Sequence, residues 1–362
     1  MIDTVKFKIP YTEQLAKDIY KVGVNVNLSF DSANDRQSRY QYFRGYKKLG
    51  SYDRNVNLFI NTHQETIFLE LSLPKFVFGH NVFMLYPQEV EMVVYRLWAE
   101  LNRTYKTKFP TPEKWELYRL DLCYSWKLSS QSDAQAVLNR IKTFKFPYKR
   151  KETYRTGVFH KGGRLHSVKF YLKQPEFMKH DFKALKENPR TIEKAYNFSS
   201  WSEGVLRFEV TLKRRYLLRE FPSYERTYHT ATRYGKMSSI LGEFLSSAMS
   251  LGSVEFMSIE DARERLDSFY SKRTANHLMQ YWLLLQRYDN AELENILGLD
   301  RSSIYRRNKK LDDANMGLLQ SGGNKELKLN IPSEYSTNPP LLSPDGRGSV
   351  VGGTADTNPS GI

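Results

Sequence analysis

Cysteine is almost missing from this chain: Cys123 stands alone among 362 residues. No disulfide can close within one molecule, and the seven histidines fall in no paired motif that would complete a tetrahedral zinc site. Apolar runs of membrane-spanning length are missing too, as is a signal-like N-terminus, so we expect a protein of a reducing cytoplasm with no membrane partner. There is no GxxxxGK(S/T) stretch of the kind that cradles nucleotide phosphates. Acidic residues are in the minority, 40 Asp and Glu against 55 Lys and Arg, a formal net charge of +15. Aromatic residues reach 14%, with 24 tyrosines. A cationic, ring-rich chain suits a polyanion with stackable bases, and the simplest such partner is nucleic acid.

Residues 165–177 read LHSVKFYLKQPEF and alternate as a strand does. Val168, Phe170 and Leu172 point one way; Lys169, Tyr171 and Lys173 point the other. Tyr171 between two lysines has its phenol where positive charge favours the phenolate and holds a phosphate, as a tyrosine nucleophile attacking a phosphodiester requires. The bland reading is a cross-strand aromatic on a half-solvated sheet. Residues 67–73, 119–126 and 206–213 divide their faces in the same way. Paired in one antiparallel sheet, they make one face apolar and collect Glu70, Arg119, Asp121, Tyr171, Lys173, Arg207 and Glu209 on the other. Glu70, Asp121 and Glu209 are candidate ligands for a hard divalent ion such as Mg²⁺, which would offset phosphate charge. Plain cross-strand ion pairing, for example Arg119 with Glu209, is the equal alternative. Arg119 and Arg207 on this face are candidates for DNA contact.

Along the chain, short strands are expected at residues 5–9, 24–30, 56–60 and 66–73. Between the second and third, residues 36–54 interleave cations such as Arg36, Arg39, Arg44 and Lys47 with Tyr40, Tyr42, Phe43, Tyr46 and Tyr52. That mixture suits backbone phosphates and unpaired bases, or else a solvated hairpin loop. A turn at Gly79-His80-Asn81 precedes an amphipathic helix over 88–105, with Val90, Val94, Leu97, Trp98 and Leu101 at helical spacing. His80 reads as a turn or capping histidine, with a metal or phosphate role as the alternative. A strand over 116–126 and a helix over 132–144, N-capped by Ser132, come next. A hairpin of 154–159 with 165–173, turned at Lys161-Gly162-Gly163, then leads through a polar helical segment over 176–194 to the Glu209 strand. Residues 1–220 therefore read as an α+β domain, an antiparallel sheet with helices on one face.

Helices over 237–250, 259–270 and 277–287 lead to residues 289–315. There two short helices about the turn Gly298-Leu299-Asp300 make a helix-turn-helix-like element anchored by Ile304 and Leu311. Arg301, Ser302 and Tyr305 are expected at base edges and Arg306 and Lys309 on phosphates; a plain basic helical hairpin is the alternative. Residues 221–316 thus read as a helical DNA-binding domain. Residues 317–362, dominated by Gly, Ser, Pro and Asn, read as a disordered tail.

Five stretches occur in a telling order: MID at the start, FGHNVF at 78–83, YRLDLCYS at 118–125, VKFYLKQPEF at 168–177 and VLRFEVTLKRRYL at 205–217. Together they resemble the replication initiation proteins of filamentous phages, the gene II/X family. LDRSSIYRRNKKL at 299–311 is similar, more loosely, to the family's C-terminal helical segment. The resemblance implies a nickase-like fold and rolling-circle initiation. A tyrosine nicks one strand at a double-stranded origin, becomes joined to the DNA, leaves a 3′-hydroxyl for the host polymerase, and later rejoins the displaced single strand. Unwinding is left to a host helicase in the bacterial cytoplasm. The resemblance places the nucleophile in VKFYLK, at Tyr171, with Lys173 as the phosphate-stabilising cation. The His-hydrophobic-His motif that supplies metal ligands in many related nicking enzymes is missing. A divalent ion, Mg²⁺ or another, is therefore expected to be held differently, by Glu70, Asp121 and Glu209. The competing class is a noncatalytic origin- or operator-binding regulator, which leaves the Tyr171 face without a role and forms no covalent adduct with DNA.

Overall fold

The period-two alternation of the strand segments is realised as one sheet. The structure, a computed structural model, describes residues 1–22, 42–50, 54–61, 64–143, 150–187, 191–248, 254–257, 259–285, 288, 290–316, 318–319 and 326–327. The strand expected at 24–30 and Arg36, Arg39, Tyr40 and Tyr52 of the basic aromatic segment lie outside the described residues. In chain order, β1 (Ile2–Ile9) leads to α1 (Glu13–Val22), β2 (Tyr42–Leu49), β3 (Arg54–Asn61), β4 (Thr66–Ser72), α2 (Leu73–Phe78), α3 (Pro87–Tyr105), β5 (Glu116–Lys127) and α4 (Gln131–Thr143). Then come β6 (Arg150–Tyr154), β7 (Gly157–Gly162), β8 (His166–Leu172), α5 (Lys173–Phe177), α6 (Lys183–Lys186), α7 (Ile192–Ser202) and β9 (Val205–Leu212). The chain continues through α8 (Arg214–Glu220), α9 (Tyr228–Thr232), α10 (Tyr234–Ala248), β10 (Val254–Met257), α11 (Ile259–Phe269), α12 (Lys272–Leu285), α13 (Asn290–Leu297) and α14 (Arg301–Asp313). It is an α+β protein whose main sheet runs β2-β3-β4-β1-β5-β9-β8-β7-β6, with every neighbouring pair antiparallel.

Register explains the division of faces. β8 pairs with β9 so that Phe170 opposes Phe208, Lys169 opposes Glu209 and Tyr171 opposes Arg207; opposed residues share a face. The Phe170 and Phe208 rings pack with centroids 4.7 Å apart. They join Leu120, Leu122, Val168 and Val210 in a core completed by Val90, Val94 and Leu97 of α3 and Val137, Leu138 and Ile141 of α4. Each such side chain contributes about 1.5–3 kcal/mol on leaving water, which sets which face each strand must turn inward. The helix expected over 88–105 is α3. The next helix begins one residue before the expected Ser132: the Ser130 hydroxyl accepts the Asp133 amide at 3.1 Å, so Ser130 is the cap.

Three expectations change. The hairpin expected from 154–159 and 165–173 is a three-stranded meander, because the chain turns at Arg155-Thr156 and Tyr154 pairs with Gly157. The helix expected over 176–194 is interrupted by a π turn at Met178–Phe182. In the expected tail, Leu318–Leu319 and Glu326–Leu327 pair with the two halves of β10, so those four residues take part in a small sheet.

One end of the polar face is closed to water. Every residue of β9 is buried, because α5, α7 and the 78–83 stretch cover this face at one end. Val82, Phe83, Phe177, Leu185 and Ala195 form a small second core there, with Phe198 and Trp201 against it. A third cluster, including Leu266, Leu278, Trp282, Leu293, Ile304 and Leu311, holds α11 to α14 together.

Candidate active site

Tyr171 is the next-to-last residue of β8, half-buried on the polar face. Its hydroxyl donates to Glu209 Oε2 at 3.2 Å, and Glu209 Oε1 accepts from Lys169 Nζ at 2.8 Å. The three side chains meet because β8 and β9 are in register and residues 169 and 171 share a face. On the next strand, the Arg119 guanidinium grips Asp121 with Nε at 2.8 Å and Nη2 at 2.6 Å, and reaches Glu70 Oε1 with Nη1 at 3.2 Å. Tyr171, Asp121, Glu209, Arg119 and Lys169 line one cavity of about 590 Å³ together with Asp3, Asn81, Glu176 and others.

Electrostatics here differ from the expectation of a phenolate flanked by two lysines. Burial, then the Glu209 carboxylate, pushes the Tyr171 phenol well above its ordinary value, against the pull of Arg207. Tyr171 is therefore a neutral hydroxyl at physiological pH, and its proton points at a carboxylate. Lys173 does not flank it on the strand. The strand ends at Leu172, and Lys173 opens α5 with its amine fully buried, bonded to Asn81 Oδ1 at 2.6 Å and to Glu176. Its nitrogen lies 5.8 Å from the Tyr171 ring centroid. Burial and the nearby Arg207 lower its pKa. Lys173 is thus a buried pin under the tyrosine rather than a cation exposed to phosphate.

Arg207 is corrected more strongly. It is fully buried, giving Nε to Ser125 Oγ at 2.8 Å, Nη2 to the Val82 carbonyl at 2.6 Å and Nη1 to the Asn81 carbonyl. A guanidinium with its donors so engaged beneath a covered sheet face cannot meet DNA in this conformation. It ties the 79–83 turn down instead. That turn exists because Gly79, at φ +80°, ends α2 in the left-handed region that a residue with a Cβ resists. His80 is the turn histidine: buried, it accepts the Val82 amide on Nδ1 at 3.1 Å and packs on Phe198 at 4.0 Å. Asn81 is the hub. Its amide donates to Asp3 Oδ2 at 3.1 Å, and Asp3 Oδ1 accepts from Ser72 at 2.7 Å. Burial pushes Asp3 up, yet Arg207 and Lys173 together hold it below its ordinary value.

Glu70, Asp121 and Glu209, the expected ligands of a divalent ion, stand on three strands of the polar face. Among the described residues no three His, Cys, Asp or Glu side chains converge as a metal would need. Each carboxylate is matched to a base: Glu70 to Lys6 at 3.5 Å and to Arg119, Asp121 to Arg119, and Glu209 to Lys169. The ion pair expected of Glu209 is made with Lys169 and not with Arg119. Burial, reinforced by Glu209, raises Asp121 to about 7 despite the Arg119 bond. Sequence reasoning does not single out Asp3, Asn81 and Glu176 as site residues. Their signal is present: MID, the GHN turn and KQPE lie within the motifs that mark the chain, but the contacts joining them span up to 92 positions.

The helix-turn-helix-like residues sit apart from this cavity. Gly298, at φ +59°, turns α13 into α14, and Asp300 caps α14 by accepting the Ser303 amide at 2.6 Å. Ile304 and Leu311 are buried, while Arg301, Ser302, Tyr305, Arg306 and Lys309 are exposed. No helix among the described residues is long and apolar enough to cross a membrane.

Among curated proteins none matches the chain. The family model for the N-terminal part of the gene II replication-associated protein matches residues 1–231, the whole of the sheet and the tyrosine cavity. The chain therefore belongs to the gene II replication-associated protein family, the replication initiators of filamentous phages.

Proposed function

We propose that this initiator nicks one DNA strand at its origin with Tyr171 as nucleophile and Glu209 as the general base. The observation that carries the reading is the relay in which Lys169 holds one Glu209 oxygen at 2.8 Å while the other faces the Tyr171 hydroxyl at 3.2 Å. A nucleophile in hydrogen-bond reach of a base, itself oriented by a third group, is the general arrangement for activating a weak oxygen nucleophile. The phenol oxygen attacks the scissile phosphorus as its proton passes to Glu209. The bond from phosphorus to the 3′ oxygen breaks, that oxygen takes a proton from water and leaves as a 3′-hydroxyl, and the 5′ phosphate stays on the tyrosine. The phosphotyrosine ester keeps the energy of the broken bond, so a later 3′-hydroxyl rejoins the displaced strand without ATP. Host polymerase extends the free 3′ end, and host helicase unwinds ahead of it.

Asp121 is held by Arg119 and Glu209 by Lys169. In our reading Lys169 and Arg119 therefore meet the phosphate charge. Residues 1–220 carry the chemistry and 221–316 read duplex DNA, with Arg301, Ser302 and Tyr305 of α14 toward base edges and Arg306 and Lys309 on phosphates. The test is incubation with supercoiled origin plasmid, with and without Mg²⁺, followed by peptide mapping of the DNA adduct. Open circles with the adduct on Tyr171 support the proposal. Origin binding with no adduct makes the chain a regulator.

A further inference from the structure

The tyrosine cavity does not end at Lys169. A second cavity, of about 720 Å³, continues along the same sheet face and shares Arg119, Phe159 and Lys169 in its wall. Seven basic side chains line it against the single carboxylate Glu70, a surplus that calls for an outside anion. At its inner end Lys6, Arg119 and Lys169 are paired with carboxylates. At its outer end Arg164 and Arg215 are exposed and have no ion pair among the described residues. Rings are interleaved with these charges. The Arg214 guanidinium lies 4.7 Å from the Tyr118 ring centroid, and the Lys161 and Lys169 nitrogens lie 5.8 and 5.7 Å from that of Phe159. Cations beside ring faces suit unpaired bases on a phosphate backbone, whereas a duplex hides its base faces.

The direction is set by the sheet. From Tyr171 the trough follows β8 back to the turn holding Arg164, seven residues or about 23 Å at ~3.3 Å per residue, room for on the order of four unpaired nucleotides. Past Tyr171 the strand gives way to α5, and the first cavity continues there along Glu176, Lys179 and His180. We infer that this trough is the track for the unpaired strand on one side of the scissile phosphate. The inference rests on the nicking reading above.

The test uses full-length chain carrying Arg164→Ala and Arg215→Ala together, with single-stranded origin oligonucleotides that extend either 5′ or 3′ of the scissile phosphate. Affinity is read by fluorescence anisotropy in a Tyr171→Phe background, and adduct formation in the Tyr171 chain. The double variant should bind one of the two oligonucleotides about tenfold more weakly and leave the other unaffected. Its log–log salt slope for that oligonucleotide should flatten by about 1.4, from two contacts at ~0.7 each. The kcat/KM for adduct formation should fall by the same factor on the same oligonucleotide. Unchanged affinity for both, an equal loss on both, or a loss confined to duplex of the same sequence overturns the inference. A wild-type chain that forms no adduct overturns the nicking reading instead, while anisotropy still decides the track.

Discussion

Glu209→Gln is the sharpest perturbation of the proposed chemistry. The amide keeps the size of the carboxylate and still accepts from Tyr171, so the geometry at 3.2 Å is preserved, but it cannot take the proton. General-base assistance contributes typically 10²- to 10⁴-fold, about 3–5 kcal/mol of barrier at ~1.4 kcal/mol per decade. Stability should change far less. The Lys169 side chain is 37% exposed, so the lost ion pair is screened by water and contributes little. DNA affinity should hold or rise, since one negative charge leaves the cavity. The assay is single-turnover adduct formation with a saturating single-stranded origin oligonucleotide, measured across pH. The variant should be slower by at least a hundredfold at neutral pH and gain rate steadily toward alkaline pH, because the phenol, pushed well above its ordinary value, must then ionise unaided. A neutral-pH rate within tenfold of wild type would refute Glu209 as the base.

Tyr171→Phe should abolish the adduct with origin binding intact, whereas Tyr154→Phe should retain it: Tyr154 lines the same cavity, but its hydroxyl donates to Glu152 at 3.1 Å; peptide mapping separates the two. Arg207→Met should lower the unfolding free energy by about 3–5 kcal/mol, since it strips a buried cation from Ser125 and the 81–82 carbonyls and leaves them unmatched; denaturant titration reads this. Asp121 has a folded pKa of about 7 against an ordinary 3.8, so the folded state holds a proton that the unfolded chain has released, and stability should fall as pH rises from about 4 to 7; Asp121→Asn should flatten that part of a melting-temperature profile. Arg306→Ala and Lys309→Ala should each weaken duplex binding alike for origin and scrambled sequence and flatten the log–log salt slope by about 0.9, read by gel shift at two salt concentrations.

The strand alternation, the α3 pattern and the helix-turn-helix spacing were legible in the chain because they are local. A period of two or 3.6 is written in consecutive residues, and apolar burial forces it into one register. The alternation also put Tyr171, Asp121 and Glu209 on one face before any contact was known, and the family motifs marked the same residues. What alternation cannot convey is whether that face meets water. One end of the polar face is covered because Phe83, Phe177 and Phe198 gather from three separate segments, and that cover turns Lys173 and Arg207 from candidate phosphate contacts into buried pins. The pairing of charges lay equally beyond the sequence: Glu209 faces Lys169 and not Arg119 because β8, not β5, places a lysine directly across β9 from it. Residue type and spacing in this chain determined its sheet, its charge and its nucleophile candidate. Only the packing of distant segments decided which charges are desolvated, and desolvation holds the Tyr171 phenol well above its ordinary value, which deepens its need for a base.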